Sequence, residues 1–346
     1  MDPSQLPLAA LIGIFLVCAV ILTLCGVRIT DVGTALSERT GLGQAVFGAA
    51  FIGGATSLSG IVVSANAAAT GHPEMALGNA VGGIAAQTVF LAIADLTHRP
   101  ANLEHAAAST PNMLQAALLM TLLSLPLLAL GAPELEFFGV SPVSLAIIAG
   151  YVFGLKLSSS AREDDPWKPK ETPETVAEEE GGEGLPESLT QGPMWKVWAQ
   201  FGVLALVLGG CGYVVSETAV ELSARFELSE SVLGTYLTAI TTSLPELVTA
   251  LAAVHRGALA LAVGDILGGN AFDSLMVAFS DVAYRDGSIF TALGDPTLVT
   301  IGMAQVLTGL VLMGLIRRER HGIANIGFES VLSLVLYVLG AAFLMQ

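Results

Sequence analysis

The chain has 346 residues, of which 53% are hydrophobic and 13% are charged. Since soluble domains carry about 25% charged residues, this composition excludes an ordinary soluble fold and indicates that the long apolar runs lie in a lipid bilayer. The formal net charge is −16, and Lys and Arg total only 14. We therefore expect no nucleic acid as a partner, because nucleic-acid binding needs a basic patch on a folded surface.

The predicted elements are apolar helices, each near the roughly 20 residues that a membrane crossing takes. About ten such segments can be read along the chain. They cover residues 6–26, 42–70, 74–97, 111–131, 141–157, 194–216, 230–255, 258–282, 295–316 and 326–345. The first run has no basic residue ahead of it and is long enough to span, so we interpret it as helix 1 rather than as a signal peptide. The predicted fold class is an all-α polytopic membrane protein.

A polar stretch at residues 158–193 separates the fifth and sixth segments and is rich in Pro, Glu and Gly. Such a composition cannot bury a core, so we expect a largely disordered acidic linker between a first half at 1–157 and a second half at 194–346. Each half holds five predicted helices. Because five is an odd number, the second half enters the membrane in the opposite orientation, which predicts two inverted five-helix repeats.

The basic residues indicate how the chain lies across the membrane. If the N-terminus is outside, 12 of the 14 Lys and Arg residues fall in loops on the cytoplasmic side. The positive-inside rule favours this arrangement. We therefore expect a multi-pass protein of the cell (inner) membrane, with both termini outside and the linker in the cytoplasm.

An ungapped internal repeat supports the two halves. Residues 56–96 align with residues 242–282, and 13 of the 41 positions are identical, among them a shared Thr-Ser-Leu triplet and a shared G-x-x-x-G-G pattern. Inverted repeats recur in transporters, whose sites lie near the midplane where paired helices are interrupted. We expect Pro245 to break segment 7 beside Glu246. The repeated glycines let helices approach closely or bend, and a simple packing seam is the alternative.

Carboxyl groups inside the membrane cost roughly 2.5–3.5 kcal/mol each and are functional candidates. Hard cations such as Na⁺ and Ca²⁺ prefer oxygen ligands. Thr242 and Ser243 supply such oxygens close to Glu246 along one helix, and Asn270 supplies one three residues before Asp273 on the next, so all three are further candidate ligands. We predict that Glu246 and Asp273 are cation ligands, with a polar pair that locks the helices together as the alternative.

Three other aspartates in the apolar segments have different expected roles. Asp95 and Asp281 occupy equivalent positions of the repeat near segment ends, and we expect them to cap backbone groups there. Asp265 lies nearer the inner end of its segment, and we expect it to tune the site or to line an access path.

The second half resembles the sodium/calcium exchanger superfamily. Residues 242–250, TSLPELVTA, are similar to its G-T-S-x-P-E motif, and residues 264–273, GDILGGNAFD, to its G-N-x-x-G-S-N-x-x-[ND] motif. The resemblance implies a membrane antiporter that works by alternating access, with segments 1 and 6 sliding across a rigid group of segments 2, 3, 7 and 8. It implies inorganic cations as partners besides the lipid, namely Ca²⁺ or another divalent cation with Na⁺ and/or H⁺, and no covalently bound cofactor. Carried over to this chain, its ligand positions are Thr56, Ser57, Thr242, Ser243, Glu246 and Asp273, with Gln87 completing the cage.

The first half departs from this pattern at the position of its glutamate, which is Gly60, and at the motif proline, which is Ser59. One carboxylate of the usual central pair is therefore missing. Glu246 and Asp273 together supply two negative charges, which one divalent cation, two Na⁺ or two protons would neutralise. We predict fewer Na⁺ sites than in typical exchangers.

Two alternatives belong to other functional classes. A transport-inactive membrane sensor or scaffold of the same fold is compatible with the degenerate first half. A membrane aspartyl protease is not, because the sequence Ala262-Val263-Gly264-Asp265 lacks the first Gly of the G-x-G-D motif and no Tyr-Asp partner occurs. We therefore expect a protein that is not an enzyme.

Overall fold

The computed structural model describes residues 3–40, 53–98, 101–130, 133, 135–163, 185–322 and 326–345. In these parts of the chain the regular structure is helical, and the only β pairing is an isolated bridge between Phe137 and Val140. Because lipid offers no partner for backbone polar groups, a helix that satisfies its own is the economical way to cross a bilayer.

The principal helices follow one another in the predicted order. They are α1 (Leu8–Thr40), α2a (Gly53–Thr56), α2b (Leu58–Ala69), α3 (Pro73–Thr97), α4 (Thr110–Ala129), α5 (Pro142–Glu163), α6 (Met194–Phe226), α7 (Ala239–His255), α8a (Leu259–Asp273), α8b (Leu275–Ala283), α9 (Asp295–Arg317) and α10 (Phe328–Leu344). A π-helical stretch, Leu233–Thr238, leads into α7, and a short helix, Leu103–Ala107, precedes α4. Eight spans in the described residues are long and apolar enough to cross a membrane, and α2b and α10 are shorter apolar helices. The expectation of about ten helices is confirmed.

Burial divides the helices into a centre and a periphery. In α3, 94% of the spanning window is buried, whereas in α1 the share is 28%. The exposed side chains of α1 include Leu16, Val20 and Leu24, as expected for a helix that faces lipid. α3 therefore lies in the middle of the bundle, with α7, α8a and α9 around it, while α1 and α6 pack along each other at the outside.

The two halves make matching contacts at opposite ends of the bundle. Asp95 Oδ1 accepts a hydrogen bond from Leu103 N at 2.8 Å, and its Oδ2 accepts from Gly327 N at 3.0 Å. The repeat equivalents of Asp95, Leu103 and Gly327, at an interval of 186 residues, are Asp281, Ile289 and Ser141. They make the same contacts: Asp281 Oδ1 accepts a hydrogen bond from Ile289 N at 2.9 Å, and its Oδ2 accepts from Ser141 N at 2.7 Å. The expected capping role of both aspartates is confirmed.

The same interval of 186 residues also relates the packing of α1 and α6. Gly26 of α1 lies against Pro245 of α7, and Gly212 of α6 lies against Ser59, the residue equivalent to Pro245. The repeat register therefore continues well beyond the 41 residues in which sequence identity made it visible.

The expected break at Pro245 is wrong, because α7 continues through this residue. A proline removes one backbone donor, yet here its ring is packed against α1 at Gly26. The interruptions lie elsewhere: Ser57 separates α2a from α2b, and Ser274 separates α8a from α8b.

Both ends of the predicted linker belong to the packed body. α5 extends to Glu163, and Leu189, which is 1% exposed, packs with Val32 and Leu36 of α1. The guanidinium of Arg39 donates hydrogen bonds of 2.7 Å to the carbonyls of Leu189 and Gly192. At these two ends a few apolar and backbone contacts anchor the polar segment to the helices. The middle of the predicted linker, 164–184, and the start of predicted segment 2, residues 42–52, lie outside the described residues.

Candidate functional site

A small cavity lies where α2b, α3, α7, α8a and α8b meet near the middle of the bundle. Both halves of the chain contribute to its wall. The lining residues are Ser57, Gly60, Asn79, Ala80, Gly83, Gln87, Thr242, Ser243, Glu246, Asp273 and Met276. The glycines and alanine bring backbones close together, while the polar side chains supply oxygen atoms to an otherwise apolar interior.

Asp273 at the end of α8a is the most connected group of the site. Ser57 Oγ donates a short hydrogen bond to Asp273 Oδ1, and Gln87 Nε2 donates to Asp273 Oδ2 at 2.7 Å. Gln87 Nε2 also lies 3.1 Å from Ser243 Oγ. Ser57 is the repeat equivalent of Ser243, and Gln87 is the equivalent of Asp273. The two serine contacts are therefore counterparts, which places the cavity on the pseudo-two-fold axis that relates the halves.

Glu246, unlike Asp273, has a carboxylate oxygen that no hydrogen-bond donor in the described part of the chain reaches. Its Oε2 is buried and has no hydrogen-bond partner among the described residues. The equivalent position in the first half is Gly60, where an added Cβ would lie 2.9 Å from Met276 Cε. The methionine thus occupies space beside the missing carboxylate.

The cavity wall is acidic. Its two carboxyl groups, Glu246 and Asp273, both come from the second half, and the described residues that line it include no lysine or arginine. A buried carboxylate is stable only when a charge or donors compensate it. Donors reach Asp273, but Glu246 is left for a cation or a proton to compensate.

Most of the predicted ligands meet at this place. Ser57, Gln87, Thr242, Ser243, Glu246 and Asp273 all line the cavity, and Thr56 and Asn270 do not. Thr56 ends α2a. Asn270 instead ties α8a to α3, because its Nδ2 donates to Thr88 Oγ1 at 3.0 Å and to the Ile84 carbonyl at 3.4 Å.

One cavity residue was missed in the sequence. Asn79 donates through Nδ2 to the Gly60 carbonyl at 3.1 Å and to Ser64 Oγ at 2.8 Å, which leaves its Oδ1 buried and without a partner. Its repeat equivalent, Asp265, is exposed and does not line the cavity. The available signal was an asparagine in an apolar segment, whereas the predicted role at the site went to the acidic residue at the equivalent position, Asp265.

The donor set suits a hard cation. Carboxylate, hydroxyl and amide oxygens converge on one place, as Na⁺ and Ca²⁺ require. Among the described residues there is no group of three or more His, Cys, Asp and Glu side chains that could hold a metal ion. A transition-metal centre built from such side chains is thus not found in this part of the chain.

Comparison with known proteins gives the family. Residues 10–155 and 196–346 match the family described as "Sodium/calcium exchanger protein". The protein of Alkalimonas amylolytica named "Putative antiporter CaxA" is 28% identical over 253 residues, which cover 70% of this chain and 71% of that protein. "Inner membrane protein YrbG" of Escherichia coli (strain K12) is 34% identical over 110 residues, 32% of this chain and 29% of that protein.

Solved structures share the fold at low sequence identity. The sodium-calcium exchanger NCX_Mj, soaked with 100 mM Na⁺ and 10 mM Sr²⁺, has a TM-score of 0.61 at 16% identity and covers 96% of this chain and 97% of its own. The H⁺/Ca²⁺ exchanger CAX has a TM-score of 0.68 at 13% identity, with 97% of this chain and 82% of that chain covered. This likeness shows a shared fold, and the family match shows that the chain belongs to the sodium/calcium exchanger family, whose members are membrane antiporters of cations and not enzymes.

Proposed function

We propose that this antiporter exchanges Ca²⁺ or another divalent cation against Na⁺ or H⁺ by alternating access, with the ions held in the central cavity. The observation that carries the proposal is the pair of carboxyl groups, Glu246 and Asp273, facing hydroxyl and amide groups of both halves. Hydroxyl and carboxylate oxygens are the ligands of hard cations. The related solved structures are described as a sodium-calcium exchanger and an H⁺/Ca²⁺ exchanger, which supports either counter-ion.

The charge of the cavity limits the stoichiometry. Two carboxylates balance one divalent cation, two Na⁺ or two protons, and Gly60 contributes no third charge. An uncompensated charge in a low-dielectric site is costly. We therefore infer that one divalent cation exchanges for two monovalent ions, and that the protein has fewer Na⁺ sites than exchangers with a glutamate in both halves.

Cation binding must compete with the present hydrogen bonds. Ser57 and Gln87 both donate to Asp273, and an amide N–H cannot ligate a cation. Gln87 Oε1 is buried without a partner. Rotation of the Gln87 amide would remove its hydrogen bond to Asp273 and turn Oε1 toward the ion. One side-chain movement would thus free a carboxylate oxygen and add an amide oxygen as a ligand.

The location follows from the apolar helices and from relatives. We infer that the chain lies in the inner membrane, as the name of YrbG states for that protein, with both termini outside and residues 158–193 on the cytoplasmic side, as the basic residues favour. We further infer that 1–157 and 194–346 are the two inverted repeats, which the contacts shared at an interval of 186 residues support.

The test is ion flux into proteoliposomes. Uptake of Ca²⁺ driven by an outward Na⁺ gradient, or by a pH gradient, should be present in the wild type and should fall at least tenfold in Glu246→Gln and in Asp273→Asn. Asp286→Asn, a change at an exposed loop residue, should leave the uptake unaltered. Unchanged flux in both cavity variants would refute the site. No flux in the wild type with any cation would favour the transport-inactive sensor or scaffold.

A further inference from the structure

A pair of buried carboxyl groups lies far along the chain from the cavity residues, at the end of the bundle where α3 ends and α10 begins. Glu104 belongs to Leu103–Ala107 and Glu329 to the first turn of α10, and each residue is 1% exposed. The carboxylate of Asp95 accepts from both Leu103 N and Gly327 N, so the segments that carry the two glutamates lie side by side, and burial leaves Oε2 of each glutamate without a donor among the described residues. Since an ionised carboxylate can only accept hydrogen bonds, the two groups can pair with each other only if one of them holds a proton.

The opposite end of the molecule shows what this end would look like without the pair. The repeat equivalents of Glu104 and Glu329 are Phe290 and Val143. Asp281 there caps Ile289 N and Ser141 N in the same way that Asp95 caps Leu103 N and Gly327 N. Capping of these turns therefore does not require two further acids, and the pair is a feature of one end only.

The side chain of Glu329 fits because of a specific small residue. An added Cβ at Gly314 of α9 would lie 2.7 Å from Glu329 Cδ. Oε2 of Glu104 and Oε2 of Glu329 are both buried, and no donor among the described residues reaches either of them. The two carboxyl groups are thus enclosed between α9, α10 and Leu103–Ala107, with each other as the available partner.

The charges that face the pair are predominantly negative. The charge of Asp95 in α3 repels a charge on either glutamate, and that of Glu319, just after α9, repels a charge on Glu329. The nearby His98 interacts with Asp95. Among the described residues, no ion pair involving Glu104 or Glu329 is found. The nearby guanidinium of Arg318 donates to the His105 carbonyl at 3.3 Å, and His105 Nδ1 lies 2.8 Å from the Arg318 carbonyl. Burial first, and then the proximity of Asp95 and Glu329, raise the pKa of Glu104 well above its ordinary value.

We propose that Glu104 and Glu329 form a proton-binding site separate from the transport cavity, in which one shared proton fastens Leu103–Ala107 to the start of α10. This segment is already joined to the residues after α9, since Asn102 Nδ2 donates to the Glu319 carbonyl at 2.7 Å and Asn102 N donates to the Arg320 carbonyl at 3.1 Å. Loss of the proton would leave three neighbouring carboxylates, including Asp95, in a buried space. The site therefore links the two halves of the chain in a pH-dependent way.

The sign of the pH dependence follows from linkage. A carboxyl group whose pKa is higher in the folded than in the unfolded protein binds more protons when folded. Its contribution to stability is therefore complete at low pH and is lost as the pH rises from the ordinary glutamate value through the raised value of the pair.

The experiment compares thermal unfolding of the purified full-length protein across a pH series for four proteins. These are the wild type, Glu329→Gln, the double variant Glu104→Phe/Glu329→Val, and Asp286→Asn as the control. The wild type and the control should lose midpoint temperature as the pH rises. Glu329→Gln should lose much less, because an amide can donate permanently to Glu104. The double variant copies the residues that the opposite end uses and should also be insensitive.

Infrared difference spectra give a direct readout of the proton. The C=O stretch of a protonated carboxyl group should be present in the wild type at neutral pH and reduced in both variants of the pair. Parallel midpoint curves in the wild type and both variants would overturn the proposal. So would a protonated carboxyl band that both variants retain in full. Both readouts are independent of transport, so they do not depend on the identity of the exchanged cations.

Discussion

At the scale of single residues, the difference between the two halves is concentrated at Gly60 and Glu246. These positions are equivalent in the repeat, and both line the cavity. A carboxylate in the membrane interior costs roughly 2.5–3.5 kcal/mol on insertion scales, so each one that is kept must be compensated by the ions it binds. Under the proposed charge balance, having one glutamate rather than two would change the number of positive charges carried in each transport cycle.

Restoring the missing carboxylate tests this idea. Gly60→Glu should add a charge to the cavity wall that also holds Glu246, since the nearest atoms to an added Cβ belong to the flexible end of Met276. We expect exchange in this variant to require one more positive charge per cycle, seen as a steeper Na⁺ dependence and a changed current in proteoliposomes. Gly60→Gln has nearly the same shape without the charge and is the matched control. Identical currents in the two variants would contradict the proposed charge balance.

At the scale of helices, α1 and α6 touch the cavity helices through equivalent glycines. Gly26 lies against Pro245, one residue before Glu246, and Gly212 lies against Ser59, one residue before Gly60. Each long outer helix therefore packs closely beside the cavity. Small residues at such crossings let membrane helices approach closely, and here the approach falls at the two positions that a sliding movement would have to pass.

A methyl group at the α6 crossing should hinder that movement. An added Cβ at Gly212 would lie 2.6 Å from the Ser59 carbonyl oxygen, which is backbone and cannot move aside cheaply. Overpacking of this kind costs about 1–3 kcal/mol, so Gly212→Ala should slow Ca²⁺ uptake several-fold. Gly202→Ala, on the same helix with no heavy atom within 4 Å of the added Cβ, is the control. Equal uptake rates in the two variants would argue against a functional crossing.

At the scale of the whole molecule, the hydrophobic periodicity of the sequence predicted the number and order of the helices, and the repeat register predicted which residues of the two halves are equivalent. The register that pairs Ser57 with Ser243 and Gln87 with Asp273 also brings these four residues together in space. It could not show that α7 passes through Pro245 unbroken, because that depends on α1 packing at Gly26.

The pair of Glu104 and Glu329 was equally hidden from the sequence. Glu104 lies between two apolar segments and Glu329 near the start of another, where an acidic residue is ordinarily exposed to solvent. Only the folding of Leu103–Ala107 beneath the start of α10 encloses them. Contacts between distant loops follow from the fold as a whole and leave no local pattern in the chain.

The two capping aspartates let the ends of the molecule be compared in one experiment. Removing either carboxylate leaves two backbone N–H groups without an acceptor. For Asp281 these are Ile289 N and Ser141 N, and for Asp95 they are Leu103 N and Gly327 N. A buried donor without a partner costs about 1–3 kcal/mol, so Asp281→Ala and Asp95→Ala should both lower the unfolding midpoint.

Their dependence on pH should differ, since only Asp95 lies beside the acidic pair. Asp95→Ala removes one of the charges that repel an ionised Glu104, so its deficit relative to the wild type should shrink as the pH rises. Asp281→Ala removes a cap next to Phe290 and Val143, so its deficit should stay constant. Thermal unfolding of both variants over one pH series measures this, and equal deficits at every pH would show that the two ends respond alike despite their different residues.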